Sequence, residues 1–418
     1  MDKNAIVSTL SVTLDLPPSC IQFCPAHPDY FVVGTYHLEQ GQRTKEDGIS
    51  KQDEDEKSGN DRKPQSRNGS LLVFQINGER LSHVQTVLQP SAILDIRFHP
   101  VTAYGDILAV VSSTGSLAVF KIDPSRDAEA PLHHLKTSRY DQLSDDVLFL
   151  QCAWHPCLPR LIAVSTSNGS ALLLKLSSEW EIEMEASRDL PVGNTLEAWS
   201  IAFSPGQPTP SEQRGPISVY CGGDDSALSY TSCSVNDGED SPSQAEEPFA
   251  PVVLRREHEA GVTAILPLFI FGEEGSRVVI TGSYDEHMRV FLIHDLHDSY
   301  GAKRVQQVAD IQLGGGVWRL DLIDCRSSSG SSMDIRVLAS CMHAGARIVR
   351  VRHARDSGWT CCVLARFEEH KSMNYGSDFA RRADRDVLRC VSTSFYDKLL
   401  CIWDYESHHG AEKDEGGQ

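Results

Sequence analysis

The chain has 418 residues, 40% of them hydrophobic, and a formal charge of −19. That acidity argues against a nucleic-acid or membrane-surface binder and is compatible with plain solubility or with a cationic partner. With no apolar leader region and no apolar run near the roughly 18 residues a membrane span needs, a cytoplasmic protein is expected.

From the N-terminus, AIVSTLSVTL (Ala5 to Leu14) reads as a strand with no turn of its own. A polar insert follows over residues 37–67, whose seven basic and eight acidic side chains suit a disordered loop. Beyond it one pattern recurs seven times: NGSLLVF from Asn68, TGSLAVF from Thr114, NGSALLL from Asn168, DDSALSY from Asp224, DEHMRVF from Asp285, HAGARIV from His343 and DKLLCIW from Asp397. Each is a tight turn leading into an apolar strand, and each follows a β-branched run such as ILAVVSS or LIAVSTS. A second apolar run lies ahead of most of these, for example AILDIRF and VTAILPL; His27, His99 and His155 each precede proline near such a run. Residues 236–250 read as an acidic loop and 406–418 as a disordered tail.

The turns recur every 46 to 61 residues. Four short strands in a repeat of about 40–45 residues mark a WD-type propeller blade, here with longer loops. The last copy ends in LLCIWDY, with the Trp-Asp pair that gives such repeats their name. An all-β, seven-bladed WD-repeat propeller over residues 1–405 is therefore expected, closed by the N-terminal strand. In such blades a histidine ahead of the inner strand bonds a Ser or Thr that orients the turn aspartate. The expected sets are His258, Ser283 and Asp285, then His370, Ser394, Asp397 and Trp403.

The copies stop agreeing in blades 4 to 7, and the loops GNTLEAWS, LGGGVWRL and HKSMNYGSDF are equally irregular. Turns and loops of this kind open on one face. Glu197, Trp199, Asp224, Asp225, Tyr284, Glu286, Trp318, Arg319, His343, Tyr375 and Tyr396 are thus expected around one mouth of the channel. Trp199, Trp318 and Tyr375 suit an aromatic wall for a quaternary ammonium or packing between blades. Arg319 suits a carboxylate, Asp224 or Glu286 among them. His343 takes the place of a turn residue and, among carboxylates, suits general-base work. Gly314 to Gly316 lack the helix start of a phosphate cradle and read as a close backbone approach.

The twelve cysteines include no C-x-x-C pair and sit largely in apolar strands, so free thiols are expected. No metal signature, no G-x-S-x-G elbow and no cofactor motif occur.

GGDDS, TGSYDEH, GGGVWRL, SCMHAGARI, HKSMNYGSDF and STSFYDKLLCIWD together resemble the diphthine methyl ester esterases of diphthamide biosynthesis, a WD-repeat family. The likeness is concentrated between Trp199 and Tyr405, with Ser340 and Phe379 departing from the family pattern. The resemblance implies hydrolysis of the methyl ester of methylated diphthine on translation elongation factor 2, giving diphthine and methanol. It implies a trimethylammonium-bearing substrate on a basic protein partner; a monomer without a cofactor is expected. On that reading His343 is the expected base, oriented by Asp224, Asp225 or Glu286. Arg319 or the N–H groups of Gly314, Gly315 and Gly316 would hold the oxyanion; Trp199, Trp318 and Tyr375 would hold the ammonium, with Glu197, Tyr284 and Tyr396 around them. The alternative is a non-enzymatic WD scaffold that presents a client to another enzyme.

Overall fold

A computed structural model describes residues 4–38, 67–205, 217–233, 249–271, 275–294, 305–328, 332–382 and 387–406. Residues 39–66 of the expected insert, 236–248 of the acidic loop and 407–418 of the tail lie outside the described residues. His37 and Leu38 belong to blade 1, where they pair with Asn68 and Arg67.

Seven antiparallel sheets stand in a ring, each laid down from its innermost strand outward. The innermost strands are Pro18–Phe23, Ile93–Phe98, Phe149–Trp154, Ser200–Phe203, Val262–Phe271, Arg319–Ser328 and Gly376–Arg381. Each touches the next, and the seventh touches the first, so the ring is closed. The helical pieces among the described residues are two short 3₁₀ turns, Thr102–Tyr104 and Met184–Ala186. No described helix is long and apolar enough to cross a membrane.

The sequence forms blades because its second strands are apolar on both faces. Ile107–Ser112, Leu161–Thr166 and Val387–Ser394 are buried at every residue, since each is covered by a neighbouring blade on either side. The outer strand Arg80–Gln89 instead has no fully buried residue and is exposed at Arg80, His83, Thr86 and Leu88. Burial is accordingly divided into seven apolar clusters, one at each blade boundary. At the seam of the ring, Phe31 and Val33 of blade 1 meet Val391 and Leu400 of blade 7.

The N-terminal segment closes the ring. Leu10–Thr13 pairs antiparallel with the final strand, Leu10 opposite Ile402. Its start does something the sequence did not suggest: Ala5 and Ile6 pair in parallel with Arg366 and Phe367 of blade 6. One segment thus ties two blades.

The two histidine sets form with a changed register. His258 Nε2 lies 2.8 Å from Thr281 Oγ1, not Ser283. His370 Nε2 lies 2.8 Å from Ser392 Oγ, not Ser394, and Trp403 Nε1 donates to the same Oγ at 3.1 Å. The shift is two residues in each case because side chains two apart share a strand face. Ser394 instead donates to Asp397. Burial lowers both imidazoles to a pKa of about 4, so they are neutral at ordinary pH.

Ser392→Ala is expected to strand two buried ring N–H or N groups at once and cost about 2–3 kcal/mol, read as a lower urea midpoint with unchanged slope.

Candidate functional site: an aromatic mouth over a charged channel

In blades 2 to 7 the residue that closes the turn fixes the alignment of the repeats. Gly115, Gly169, Ser226, Glu286, Gly345 and Lys398 all have a left-handed φ, between 56° and 86°. One position earlier stand Thr114, Asn168, Asp225, Asp285, Ala344 and Asp397; a further position back, blades 4 to 7 show Asp224, Tyr284, His343 and Tyr396. Sequence alignment had grouped Asp224 and His343 with Asp285 and Asp397, one residue too early. The turn aspartates are Asp225, Asp285 and Asp397, and in blade 6 the place is held by Ala344.

These aspartates share one structural task. An Oδ of each accepts the N–H of the loop ahead of its own inner strand: Thr195 at 2.9 Å, Glu259 at 2.9 Å and Lys371 at 3.1 Å. Asp225 also accepts from the Asn194 amide at 2.6 Å and the Ala227 N–H at 3.0 Å. Burial alone would raise its pKa, but the Thr195 N–H and the Asn194 amide hold it below the usual carboxylate range. Asp225 is therefore fully engaged in the turn. Blade 6 lacks this carboxylate and docks its turn directly on the glycine loop. A Cβ on Gly315 would meet the Cys341 carbonyl at 2.3 Å, and one on Gly316 would meet Met342 Sδ at 2.7 Å. Gly315 and Gly316 are close-approach residues; Gly314 supplies a left-handed φ of 84°.

The residues freed from turn duty face the mouth. Trp199, Trp318 and Tyr375 start the inner strands of blades 4, 6 and 7 and come together as expected. Ring centroids are 5.3 Å apart for Trp199 and Trp318 and 4.9 Å for Trp318 and Tyr375. Tyr284 joins Trp318 at 5.9 Å. The arc continues through Phe395, 5.6 Å from Tyr375, to Tyr36 of blade 1 at 6.1 Å, neither singled out from sequence. Tyr396 packs edge-on against Phe395 and is 69% exposed.

Asp224 lies under this arc. Burial raises its pKa, the Trp199 indole N–H facing it opposes the shift, and the charges of Glu197 and Asp225 add to it. The Trp199 N–H closes no hydrogen bond of ordinary geometry. Burial also raises the Tyr284 phenol, helped by the charges of Asp224 and Glu197. Two carboxylates and four rings thus share the mouth.

Three expectations about polar partners are corrected. His343 is exposed and makes no hydrogen bond or ion pair with Asp224, Asp225 or Glu286. Glu286 turns outward, accepting the Gln312 amide of the outer strand at 3.2 Å. Arg319 points into the channel, where Nη2 donates to Asp95 Oδ1 at 2.6 Å.

Below the mouth the channel holds a cluster that the sequence reading missed. Asp95 accepts the N–H of Ile96 at 2.9 Å and of Cys152 at 3.2 Å. Arg97 lies 3.4 Å from Asp95 and 3.8 Å from Asp321. Asp378 accepts the N–H of Phe23 at 2.6 Å and of Phe379 at 2.8 Å. Burial, partly offset by Arg97, leaves Asp95 at about 6 and Asp321 at about 6. Burial together with the charge of Asp321 lifts Asp378 to about 7. A cavity of about 320 Å³ runs beside them, lined among others by Arg97, Gln151, Phe203, Trp318, Arg319 and Asp321. The available signal was a charged residue inside an apolar inner strand: VWRLDL and NYGSDF carry Asp321 and Asp378 at matching places. Among the described residues no group of His, Cys, Asp and Glu is arranged to hold a metal ion.

No family model matches the chain. Curated relatives do. Diphthine methyltransferase of Schizosaccharomyces pombe is 26% identical over 97% of this chain and 99% of its own length. The likeness is to diphthine methyltransferases. A Dictyostelium discoideum homologue of diphthine methyltransferase is 25% identical over 93% of this chain, covering 97% of that protein. The human diphthine methyltransferase is 26% identical over 93% of this chain and 78% of its own length. The segments between Trp199 and Tyr405 pointed to the same proteins, and the diphthine methyltransferases align well beyond those segments.

The division of labour between neighbours is testable. Asp225→Ala is expected to cost about 2–3 kcal/mol by orphaning its donors. Asp224→Ala, which removes a half-buried carboxylate with no ion pair among the described residues, is expected to change stability by less than about 0.5 kcal/mol. Thermal or urea unfolding of the two variants side by side checks the contrast.

Proposed function

We propose that this protein hydrolyses the methyl ester of methylated diphthine on translation elongation factor 2, giving diphthine and methanol, a step of diphthamide biosynthesis in the cytoplasm. The observation that carries the reading is the mouth: Trp199, Tyr284, Trp318 and Tyr375 in one arc, with the carboxylates of Asp224 and Glu197 beside them. A trimethylammonium group has no N–H to donate, so it is held by ring faces and by charge at a distance. Each good cation–π contact contributes about 0.5–2 kcal/mol. A peptide-sized cation could also meet an acidic scaffold, but a scaffold has no need of a polar cavity directly beneath its docking face.

Arg319 suits the oxyanion. It is already held by Asp95, and its Nη1 is buried without a hydrogen-bond partner. Gly315 and Gly316 are occupied in seating the blade-6 turn. His343 and Tyr396, exposed on the rim, suit contact with the protein that carries the modified side chain. The chain's charge of −19 suits a basic, RNA-binding client. The chain would act as a monomer, with no cofactor.

The relatives' name speaks of methyl transfer, which concerns the same modified residue in the opposite sense. Mass spectrometry of the client decides between them. Purified protein incubated with methyl-esterified elongation factor 2 is expected to remove one methyl group and release methanol. A methyl gained by unesterified client in the presence of a methyl donor would overturn the reading in favour of transfer. No change in either assay, from folded protein that binds the client, would favour the scaffold. Trp318→Ala is expected to raise KM about tenfold or more, while His343→Asn changes kcat less than about fivefold.

A further inference from the structure

The channel cavity has two unlike sides. Its lining comes from the inner strands of blades 2 to 6 and their ends. Blades 2 and 6 supply Arg97, Arg319 and Asp321, and blade 3 supplies Gln151. Blades 4 and 5 supply only apolar side chains, from Ile201 to Phe203 and from Ala264 to Pro267. Blades 1, 2, 3 and 7 each spend a side-chain oxygen on an N–H of the following blade: Gln22 on Phe98, Asp95 on Cys152, Gln151 on Ile201 and Asp378 on Phe23. The polar side thus has a structural origin, and the apolar side has none of that kind. Apolar surface left on a cavity gains only when something apolar covers it.

The cavity also joins the aromatic arc. Trp318 belongs to both, and Arg319, Leu320 and Asp321 continue the lining from it along the inner strand of blade 6. Arg319 is 8% exposed; its Nη2 is held by Asp95 at 2.6 Å, and its buried Nη1 has no partner. An open N–H on a buried guanidinium draws an oxygen atom. A ligand reaching from the arc into the cavity therefore meets ring faces, an open charged N–H and an apolar wall. The cavity of about 320 Å³ has room for roughly ten waters at about 30 Å³ each, and a methoxy group fills little more than one such share.

Accepting the hydrolase reading above, the direction of the ester follows from what is tethered. The ammonium is held in the arc and the acyl group is attached to the client outside. The alkoxy group is the free end, and it is the part that can enter the channel. We infer that the channel cavity is a pocket for the alcohol side of the ester, and that it takes alkoxy groups longer than methoxy. Arg319 Nη1 holds the ester carbonyl oxygen at the charged side, while Ala202, Ile265, Leu266 and Pro267 cover the alkyl chain. The activity then extends to linear alkyl esters such as butyl. Water bonds through its oxygen to the acyl carbon, and the acyl–alkoxy bond breaks with its electron pair going to the alkoxy oxygen. That oxygen takes a proton from the water and leaves as the alcohol, and the carboxylic acid remains; no other reactant is needed. Covering one CH₂ with apolar side chains improves kcat/KM by up to about fourfold.

Initial rates of the full chain on elongation factor 2 bearing the methyl, ethyl or butyl ester at the same carboxyl test this. Methanol, ethanol and butanol are alcohols of similar acidity, so the leaving group itself contributes little to any difference. The butyl ester is expected to be cleaved with a kcat/KM at least equal to that of the methyl ester, rising along the series by up to about fourfold per CH₂. A butyl ester cleaved less efficiently than the methyl ester overturns the inference. Ala202 is half-buried on the apolar side, and Ala202→Leu narrows the pocket there. That variant is expected to lower the butyl-to-methyl ratio of kcat/KM at least about tenfold, as an obstructed alkyl pocket requires. A smaller change overturns the assignment of this wall. Should Ala202→Leu fail to fold, the ester series on the unaltered protein still decides. Cleavage of none of the esters would be a failure of the hydrolase reading itself. Cleavage of the methyl ester with rejection of the butyl ester leaves that reading standing and removes the pocket.

Discussion

The innermost strand of every blade is bonded on one side only, and its other edge faces the channel. Seven such edges converge where little water can reach them, and an unpaired buried N–H is costly. The solution, seen at four of the seven boundaries, is an oxygen-bearing side chain from the preceding blade. This constraint brings polar residues into the centre of an otherwise apolar ring. Once Asp95 is there, its charge needs company, which Arg97 and Arg319 supply. The channel is charged because the backbone had to be satisfied.

A second backbone rule sets the mouth. At four of the turns the carbonyl three residues before the left-handed residue accepts the N–H leading into the next blade's inner strand: Thr166 from Ala198, Gly223 from Val262, Ser283 from Val317 and Met342 from Asn374. The residue following each donor is thereby held at the same height around the rim. In blades 4, 6 and 7 that residue is Trp199, Trp318 or Tyr375. An aromatic arc needs no special loop when register alone places the rings.

The repeat was legible because burial between blades demands apolar second strands, and periodic turn residues punctuate them. Blade number, ring closure and the gathering of Trp199, Trp318 and Tyr375 followed from that pattern. What went astray was register within turns of unequal length. A shift of one residue exchanged Asp224 for Asp225 and placed His343 among structural aspartates, where it does not belong. A shift of two misassigned Ser283 and Ser394 without changing their strand face. The channel cluster was harder to see, because Asp95 and Arg97, Asp321, and Asp378 come from three blades far apart in sequence, and each reads singly as a charge inside an apolar strand. Only the closed ring brings their side chains into one space.

Charge then connects the two levels of the site. Asp224 and Glu197 have no ion pair at the mouth, and burial works against the ionised form of Asp224. The layer of Asp321, Arg97 and Asp378 carries one more carboxylate than guanidinium. Both deficits have the same sign, so a cation seated among the rings would relieve the mouth directly. Its field would reach the channel more weakly, across greater distance and through protein. It would therefore favour the charged form of Asp224 more than that of Asp378.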